Sequence, residues 1–264
     1  MIDRSEGYFE TSDGETIWYE TAGDGVPVVF AHGLGGTAAV WFQQLPHFAA
    51  RYRVVTWDQR GFGRSSNKAD RAGPVSSTSD QVELLDHLEI DAAHLVGQSL
   101  GGWAALGAAL AAPGRVRSLI LSSSTAGIPS LNLPPFDVGP VRAPHGTRPL
   151  GVHPAIGDRL ALIDPARAYL YQTFSTFGQR PPDAEFATML AETTHEPSVF
   201  SQFEIPALFV CGSRDPLMTP AHVRDVAQRL PRAQVVELDL SHSTYFEDPD
   251  TWNTVVDEFL DSIR

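Results

Sequence analysis

The stretch Leu95-Val96-Gly97-Gln98-Ser99-Leu100-Gly101-Gly102 places the tightest limit on how this chain can fold. The apolar end of a strand, His94-Leu95-Val96, leads into Gly97-Gln98-Ser99-Leu100-Gly101, and an alanine-rich helical run, Trp103 to Ala112, follows at once. A serine lifted over a strand end by so short a turn is forced into a sparsely populated backbone region, at a cost of about 1–3 kcal/mol. Side chains two positions before and two after it would clash, and Gly97 and Gly101 remove them. The helix beyond aims the Leu100 N–H and a positive dipole end at the space beside the hydroxyl, where an oxyanion would be stabilised. Gly-x-Ser-x-Gly between strand and helix therefore points to a nucleophilic Ser99; the bland reading is a small-residue turn with a satisfied serine.

With 264 residues, 42% of them hydrophobic and 19% charged, the chain can build one large core and carry an insertion. Its formal charge of −13 would be repelled by a nucleic-acid backbone, so no nucleic-acid partner is expected and a small-molecule substrate is. The first 25 residues contain no basic region followed by an apolar run, and the longest apolar run, after Ser99, is too short for a bilayer. Cys211 is the single cysteine, which excludes an internal disulfide. A cytoplasmic protein without membrane attachment is the expectation.

Short β-rich runs alternate with helical patterns along the chain. GYFETS and ETIWYETA, split by Ser12-Asp13-Gly14, predict an opening hairpin. Further strands are expected at 26–31, 52–57, 93–97, 118–123, 206–212 and 233–240, giving eight. Helices are expected at 38–50, 79–89, 100–112, 220–230 and 249–263. This alternation predicts an α/β fold, an eight-stranded mainly parallel sheet with helices on both faces.

Taken with four matched places in order, the chain resembles the α/β-hydrolase family over nearly its whole length. These are His32-Gly33-Leu34-Gly35-Gly36 after the third strand, Asp58-Gln59-Arg60-Gly61-Phe62-Gly63-Arg64-Ser65 after the fourth, and the Ser99 turn after the fifth. The last comprises Gly212-Ser213-Arg214-Asp215 after the seventh strand with Ser241-His242 after the eighth. The resemblance implies that the Leu34 N–H joins that of Leu100 as an oxyanion donor, and that Asp58-to-Ser65 is a structural turn. Asp58 with Arg60 or Arg64 then reads as a buried or half-buried ion pair. Gly61-Phe62-Gly63 lacks the third glycine of a dinucleotide fingerprint, and His32 reads as structural.

A serine needs a base, and the base needs an orienting group. Of nine histidines, His242 follows a strand-like run near the C-terminus and precedes a helix start at Asp248-Pro249, so its loop can fold over the sheet edge. The position before it is Ser241, where the family usually has glycine. Asp215 leaves the strand end before Pro216, one helix and one strand ahead of His242, and the order Ser99, Asp215, His242 agrees with the motif. The other reading of Asp215 is the N-cap of the next helix. Ser122-Ser123-Ser124-Thr125, after the sixth strand, offers no carboxylate. Without HExxH, CxxC or clustered ligand spacing, neither a metal nor another cofactor is expected.

Residues 126–203 exceed a plain crossover and resemble the family's cap; 1–125 and 204–264 would form the core. Within the cap, 127–154 reads as a Pro- and Gly-rich loop, and 156–177 and 183–194 as helices. Phe136, Tyr169, Tyr171, Phe174 and Phe177 either line an apolar pocket or form the cap's own small core. Between 138 and 157 the chain carries Arg142, His145, Arg148 and His153 and no acidic residue, which suits either a substrate carboxylate or a solvated loop. Trp41, Trp103, Phe136, Arg142 and Arg148 are the candidate substrate contacts. The expected chemistry is ester or lactone hydrolysis by Ser99, His242 and Asp215. The alternatives are carbon–carbon hydrolysis of a diketone or ring-cleavage dienoate, or a ligand receptor or cofactor-free oxygenase on the same fold.

Overall fold

The computed structural model describes residues 2–134, 153, 155–174, 189–190 and 193–263. Its eight strands are β1 (Arg4–Glu10), β2 (Thr16–Ala22), β3 (Pro27–Ala31), β4 (Arg53–Trp57), β5 (Ala93–Gln98), β6 (Val116–Ser122), β7 (Ala207–Gly212) and β8 (Ala233–Leu238). They form one sheet in the order β1-β2-β4-β3-β5-β6-β7-β8. The β1–β2 and β2–β4 pairs are antiparallel, and every pair from β4 onward is parallel. Gly14, at φ +84, closes the opening hairpin by donating its N–H to Thr11 O at 2.9 Å.

The central strands bury both faces, which is why they read as continuous apolar runs. Val29, Ala31, Leu95, Leu119, Leu121 and Phe209 join one core cluster, packed by α2 (Pro74–His87), α3 (Gly101–Ala111) and α6 (Pro220–Ala227). Val28, Phe30, Val96, Ile120, Leu208 and Val210 join the other, packed by α1 (Gln44–Phe48) and α8 (Pro249–Ser262). This is the period-two alternation of a strand carried across the sheet, and each buried large side chain contributes about 1.5–3 kcal/mol. Cys211 is fully enclosed in β7, and burial pushes its thiol up to about 12, so it is a small core residue.

Some elements differ from the sequence expectation. The helix expected at 79–89 begins at Pro74, whose ring pre-sets φ for a first helical turn. The one expected at 38–50 divides into a 3-10 turn, Ala38–Trp41, and α1. The one expected at 156–177 is two, α4 (Asp158–Ile163) and α5 (Pro165–Phe174), because Pro165 disfavours helical geometry at Asp164, which lies at φ −144, ψ 75. Most of the expected 183–194 helix and of the 127–154 loop lies outside the described residues. What is described of this segment is tied down: Ile156, Leu160 and Ala168 pack into the second cluster. Asp225 on α6 accepts the N–H of Leu131 at 2.5 Å and the side-chain amide of Asn132 at 2.8 Å.

Candidate active site

The parallel topology brings the C-terminal ends of β3, β5, β6, β7 and β8 to one edge of the sheet. At the end of β5, Ser99 has φ +49 while Leu100 is already helical. A Cβ on Gly97 would collide with Gly101 O, and one on Gly101 would collide with Ala31 O and lie 2.8 Å from His32 O. Ser99 is fixed through its backbone: its N–H donates to Ser122 O at 2.9 Å, and its carbonyl accepts from Gly102 N at 2.9 Å and Ser124 Oγ at 2.7 Å. Among the described residues the hydroxyl has no hydrogen-bond partner, and the turn that carries it is held by its backbone.

Two further loops meet at the same edge of the sheet. The one after β7 presents Asp215, 4% exposed, whose Oδ1 accepts the N–H groups of Leu217 and Met218, each at 2.8 Å. Its Oδ2 lies 2.8 Å from Nδ1 of His242, itself 5% exposed, on the loop after β8. The N-cap of α6 is Thr219, which accepts from His222 N, so Asp215 spends its second oxygen on the histidine rather than on that helix. The histidine loop continues into a single helical turn, α7 (Thr244–Glu247), and is anchored to the same sheet edge. Thr244 Oγ1 is 3.2 Å from Ser122 Oγ, on the residue whose carbonyl holds Ser99 N–H. Ser243 donates its N–H to Ala155 O at 2.8 Å and shares a 2.7 Å hydrogen bond with Tyr171 OH.

The glycine-rich turn after β3 abuts the serine: an ideal Cβ on Gly33 would lie 3.2 Å from Ser99 Cβ and would collide with Gln98 Oε1. Among the described residues, the N–H groups of Leu34 and Leu100 donate to no protein acceptor. Leu100 follows Ser99 in the chain and Leu34 follows Gly33, so both donors belong to the two turns that meet at the serine. A small cavity of about 20 Å³ adjoins the turn, lined by Leu34, Gln98, His153, Tyr171, Phe174 and Tyr245 among others. Gln98 is 2% exposed, and its Nε2 has no hydrogen-bond partner among the described residues. Its place inside the motif gave no sign of this.

The charged turn after β4 is structural. Asp58, fully buried, accepts from Ala38 N at 2.7 Å and from Arg64 N and Nε at 2.9 Å each, and the Arg64 guanidinium stacks on Trp18. Its ion-pair partner is therefore Arg64. Arg60 turns instead to Asp80, at 2.6 and 3.0 Å, and to Asp13, at 2.7 and 2.9 Å. His32 donates from Nδ1 to Gly33 O at 2.8 Å and accepts Gln59 N–H at Nε2 at 3.0 Å. Burial lowers its affinity for a proton, so it is a neutral strut for the glycine turn.

Of the candidate substrate contacts, Trp103 lies beside Leu34, Leu100, Phe62 and Leu190, with its indole N–H donated to Thr193 O at 3.0 Å. Trp41 is fully buried and packs against Phe30, Trp252 and Tyr245, the last of which lines the small cavity. Phe136, Arg142 and Arg148 lie outside the described residues, as do His145 and Phe177. Tyr171 and Phe174 line the small cavity, whereas Tyr169, 51% exposed, points away from the core.

Comparison with known proteins agrees with this fold. Residues 28–255 match the model of the alpha/beta hydrolase family. "Putative carbamate hydrolase RutD" of Azorhizobium caulinodans is 28% identical over 262 residues, covering 94% of this chain and 96% of the relative. The 3-oxoadipate enol-lactonase 2 of Acinetobacter baylyi is 26% identical over 260 residues, covering 95% of each. Among solved structures, Est816, described as an N-acyl homoserine lactone degrading enzyme, superimposes with a TM-score of 0.78 at 26% identity, covering 96% of this chain and all of its own.

Proposed function

The chain belongs to the alpha/beta hydrolase family, and from that premise we propose that it is a serine hydrolase acting on a small carboxylic ester or lactone. The observation that carries the reading is the buried 2.8 Å contact between His242 Nδ1 and Asp215 Oδ2, at the sheet edge where Ser99 is held at φ +49. Asp215 fixes the tautomer that leaves His242 Nε2 free to accept a proton. Ser99 Oγ gives its proton to that nitrogen and attacks the substrate carbonyl, and the Leu34 and Leu100 N–H groups hold the oxyanion. The alcohol leaves with the proton from His242, giving an acyl-Ser99. Water, deprotonated by His242, then releases the acid and restores the serine. Such hydroxyl–imidazole contacts tighten when substrate binds.

The substrate class rests on the two sides of the site. Phe62, Leu34, Trp103 and Leu190 offer an apolar wall for an acyl chain, and Gln98 offers an unmatched amide. Of the segment expected to form a cap, the described residues His153, Tyr171 and Phe174 line the small cavity beside this space. The relatives differ in the substrate their names state, a carbamate for one and an enol-lactone for another, yet each is an acyl compound open to the same attack.

Steady-state assays of wild type and Ser99→Ala on short p-nitrophenyl esters, lactones and one dienoate test the proposal. Turnover of an ester or lactone is expected, with a loss of about 10⁴-fold or more in kcat on removing the hydroxyl. Equal rates in both proteins would discard the nucleophile, and turnover of the dienoate alone would move the reaction to carbon–carbon hydrolysis.

A further inference from the structure

Glu247 is a buried carboxylic acid, 8% exposed, to which the reaction above gives no part. It ends the single helical turn that begins two residues after His242. Its Oε1 accepts the N–H of Ser241, immediately before His242, at 3.1 Å. Its Oε2 faces Gly157, at the start of α4, whose backbone N–H favours the ionised form. A Cβ at Gly157 would lie 2.8 Å from Ser241 Oγ, which would have to turn aside, and 3.4 Å from Glu247 Oε2. The absence of a side chain at 157 therefore makes room for the serine that stands before His242. On the far side of the histidine, Ser243 N–H is held by Ala155 O at 2.8 Å. The histidine loop is thus fastened to the 155–157 segment at both flanks, by a carbonyl on one side and by the Glu247 carboxyl on the other.

We propose that Glu247 is a positioning residue for His242, a carboxylate brace that locks the histidine loop to the cap at Gly157; this rests on the serine-hydrolase reading above. A carboxylate accepts at both oxygens, so it can hold two N–H groups at once. A protonated one keeps its carbonyl acceptor but turns its other oxygen into an O–H donor, so one of the two N–H groups then faces a donor. The brace is therefore engaged when Glu247 is ionised and slack when it is neutral. A displacement on the order of 1 Å at the base is enough to cost about 100-fold in rate.

The surroundings put that change within reach of neutral pH. Burial pushes the Glu247 carboxyl up to about 7, Asp215 beside it acts in the same direction, and Arg214 opposes. The other titratable or charged groups facing it are Tyr171 on α5, Arg159 on α4, Asp239 beyond β8, and Asp248 and Asp250 at the start of α8. Arg167 of α5 donates to Glu247's own backbone carbonyl at 3.2 Å. A surface groove of about 450 Å³, lined by Arg159, Arg167, Asp239, Asp248 and Asp250, reaches Glu247 and gives protons a route to it.

The test is the pH profile of inactivation by an alkyl fluorophosphonate, which needs no knowledge of the substrate. The serine oxygen displaces fluoride at phosphorus, and peptide mass spectrometry shows whether Ser99 carries the adduct. In wild type, the acid limb of the maximal inactivation rate is expected to be steeper than one proton, because His242 must be neutral and Glu247 ionised. Glu247→Gln, a neutral mimic of nearly equal shape, is expected to show a one-proton limb. At pH 8 its maximal rate should fall between about 10- and 100-fold, with the half-saturating concentration within about twofold. Gly157→Ala attacks the same brace from the cap side and should lower the maximal rate in the same way. Ser99 labelled in all three proteins, with parallel acid limbs and equal maximal rates, overturns the brace and leaves the hydrolase reading standing. No adduct on Ser99 in wild type overturns the hydrolase reading itself, and the role given to Glu247 with it.

Discussion

At the scale of the residue, the site depends on conformations and contacts that few side chains supply. Ser99 sits at φ +49, a region costly for a residue with a Cβ, and the backbone hydrogen bonds to Ser122 and Ser124 hold it there. Asp215 shares the histidine Nδ1 with one oxygen and closes its own turn with the other. Asp215→Asn keeps the shape of the turn but offers an amide that can select the wrong histidine tautomer. A loss of about 10⁴-fold in kcat with little change in the thermal midpoint is expected. An Asn variant within about tenfold of wild type would remove Asp215 from the mechanism. The residues proposed for this chemistry could be picked out in the sequence because each stands next to a strand end within a local pattern. Gln98 and Glu247 were not, because their importance lies in what faces them across the fold: an empty amide partner in one case, and Ser241 and Gly157 in the other. Arg64 as the partner of Asp58 was open for the same reason, since Arg60 is nearer in sequence and is drawn off by Asp80 and Asp13.

At the scale of the element, the turn from β5 into α3 works because backbone passes over backbone with no side chain between. Gly101→Ala would drive a methyl group into the carbonyls of Ala31 and His32, which belong to the adjoining strand end and cannot swing aside. Overpacking of this kind costs about 1–3 kcal/mol, and here it also displaces the glycine turn that carries Leu34. A lower urea midpoint together with a fall in kcat is expected; an unchanged kcat would mean that the turn tolerates movement the account forbids. All eight strands follow from runs of apolar residues bounded by turn formers, so the sheet was readable with end points shifted by a residue or a few. The helices on its faces were less so. Pro165 divides one expected helix into α4 and α5, and Pro74 starts another early, both through local backbone geometry that the apolar pattern overrode in the reading. Trp41 illustrates the same limit: the sequence places an indole near the glycine turn, but the turn of Ala38–Trp41 aims it at Phe30, Tyr245 and Trp252.

At the scale of the whole molecule, Ser99, Asp215 and His242 come from three crossover units 116 and 27 positions apart along the chain, and one parallel sheet delivers them to one edge. Placing the serine on a rigid turn and the base on a loop fastened to the 155–157 segment divides the site into a fixed half and a half that depends on its neighbours. Burial of Glu247, which opposes the ionised form the brace needs, also leaves a mark on folding. With its folded value near 7 against an ordinary 4.5, the buried Glu247 favours the fold in full below 4.5, and that contribution is lost as the pH rises through 7. Glu247→Gln should therefore flatten the decline in stability across that window, a second reading from the variant already described. The central claim is that Ser99 becomes covalently acylated. Rapid-quench reaction with p-nitrophenyl acetate, followed by peptide mass spectrometry, tests it most directly. A burst of p-nitrophenol matched by an acetyl group on the Ser99 peptide is the predicted result; steady turnover with no adduct at Ser99, persisting in Ser99→Ala, would contradict it.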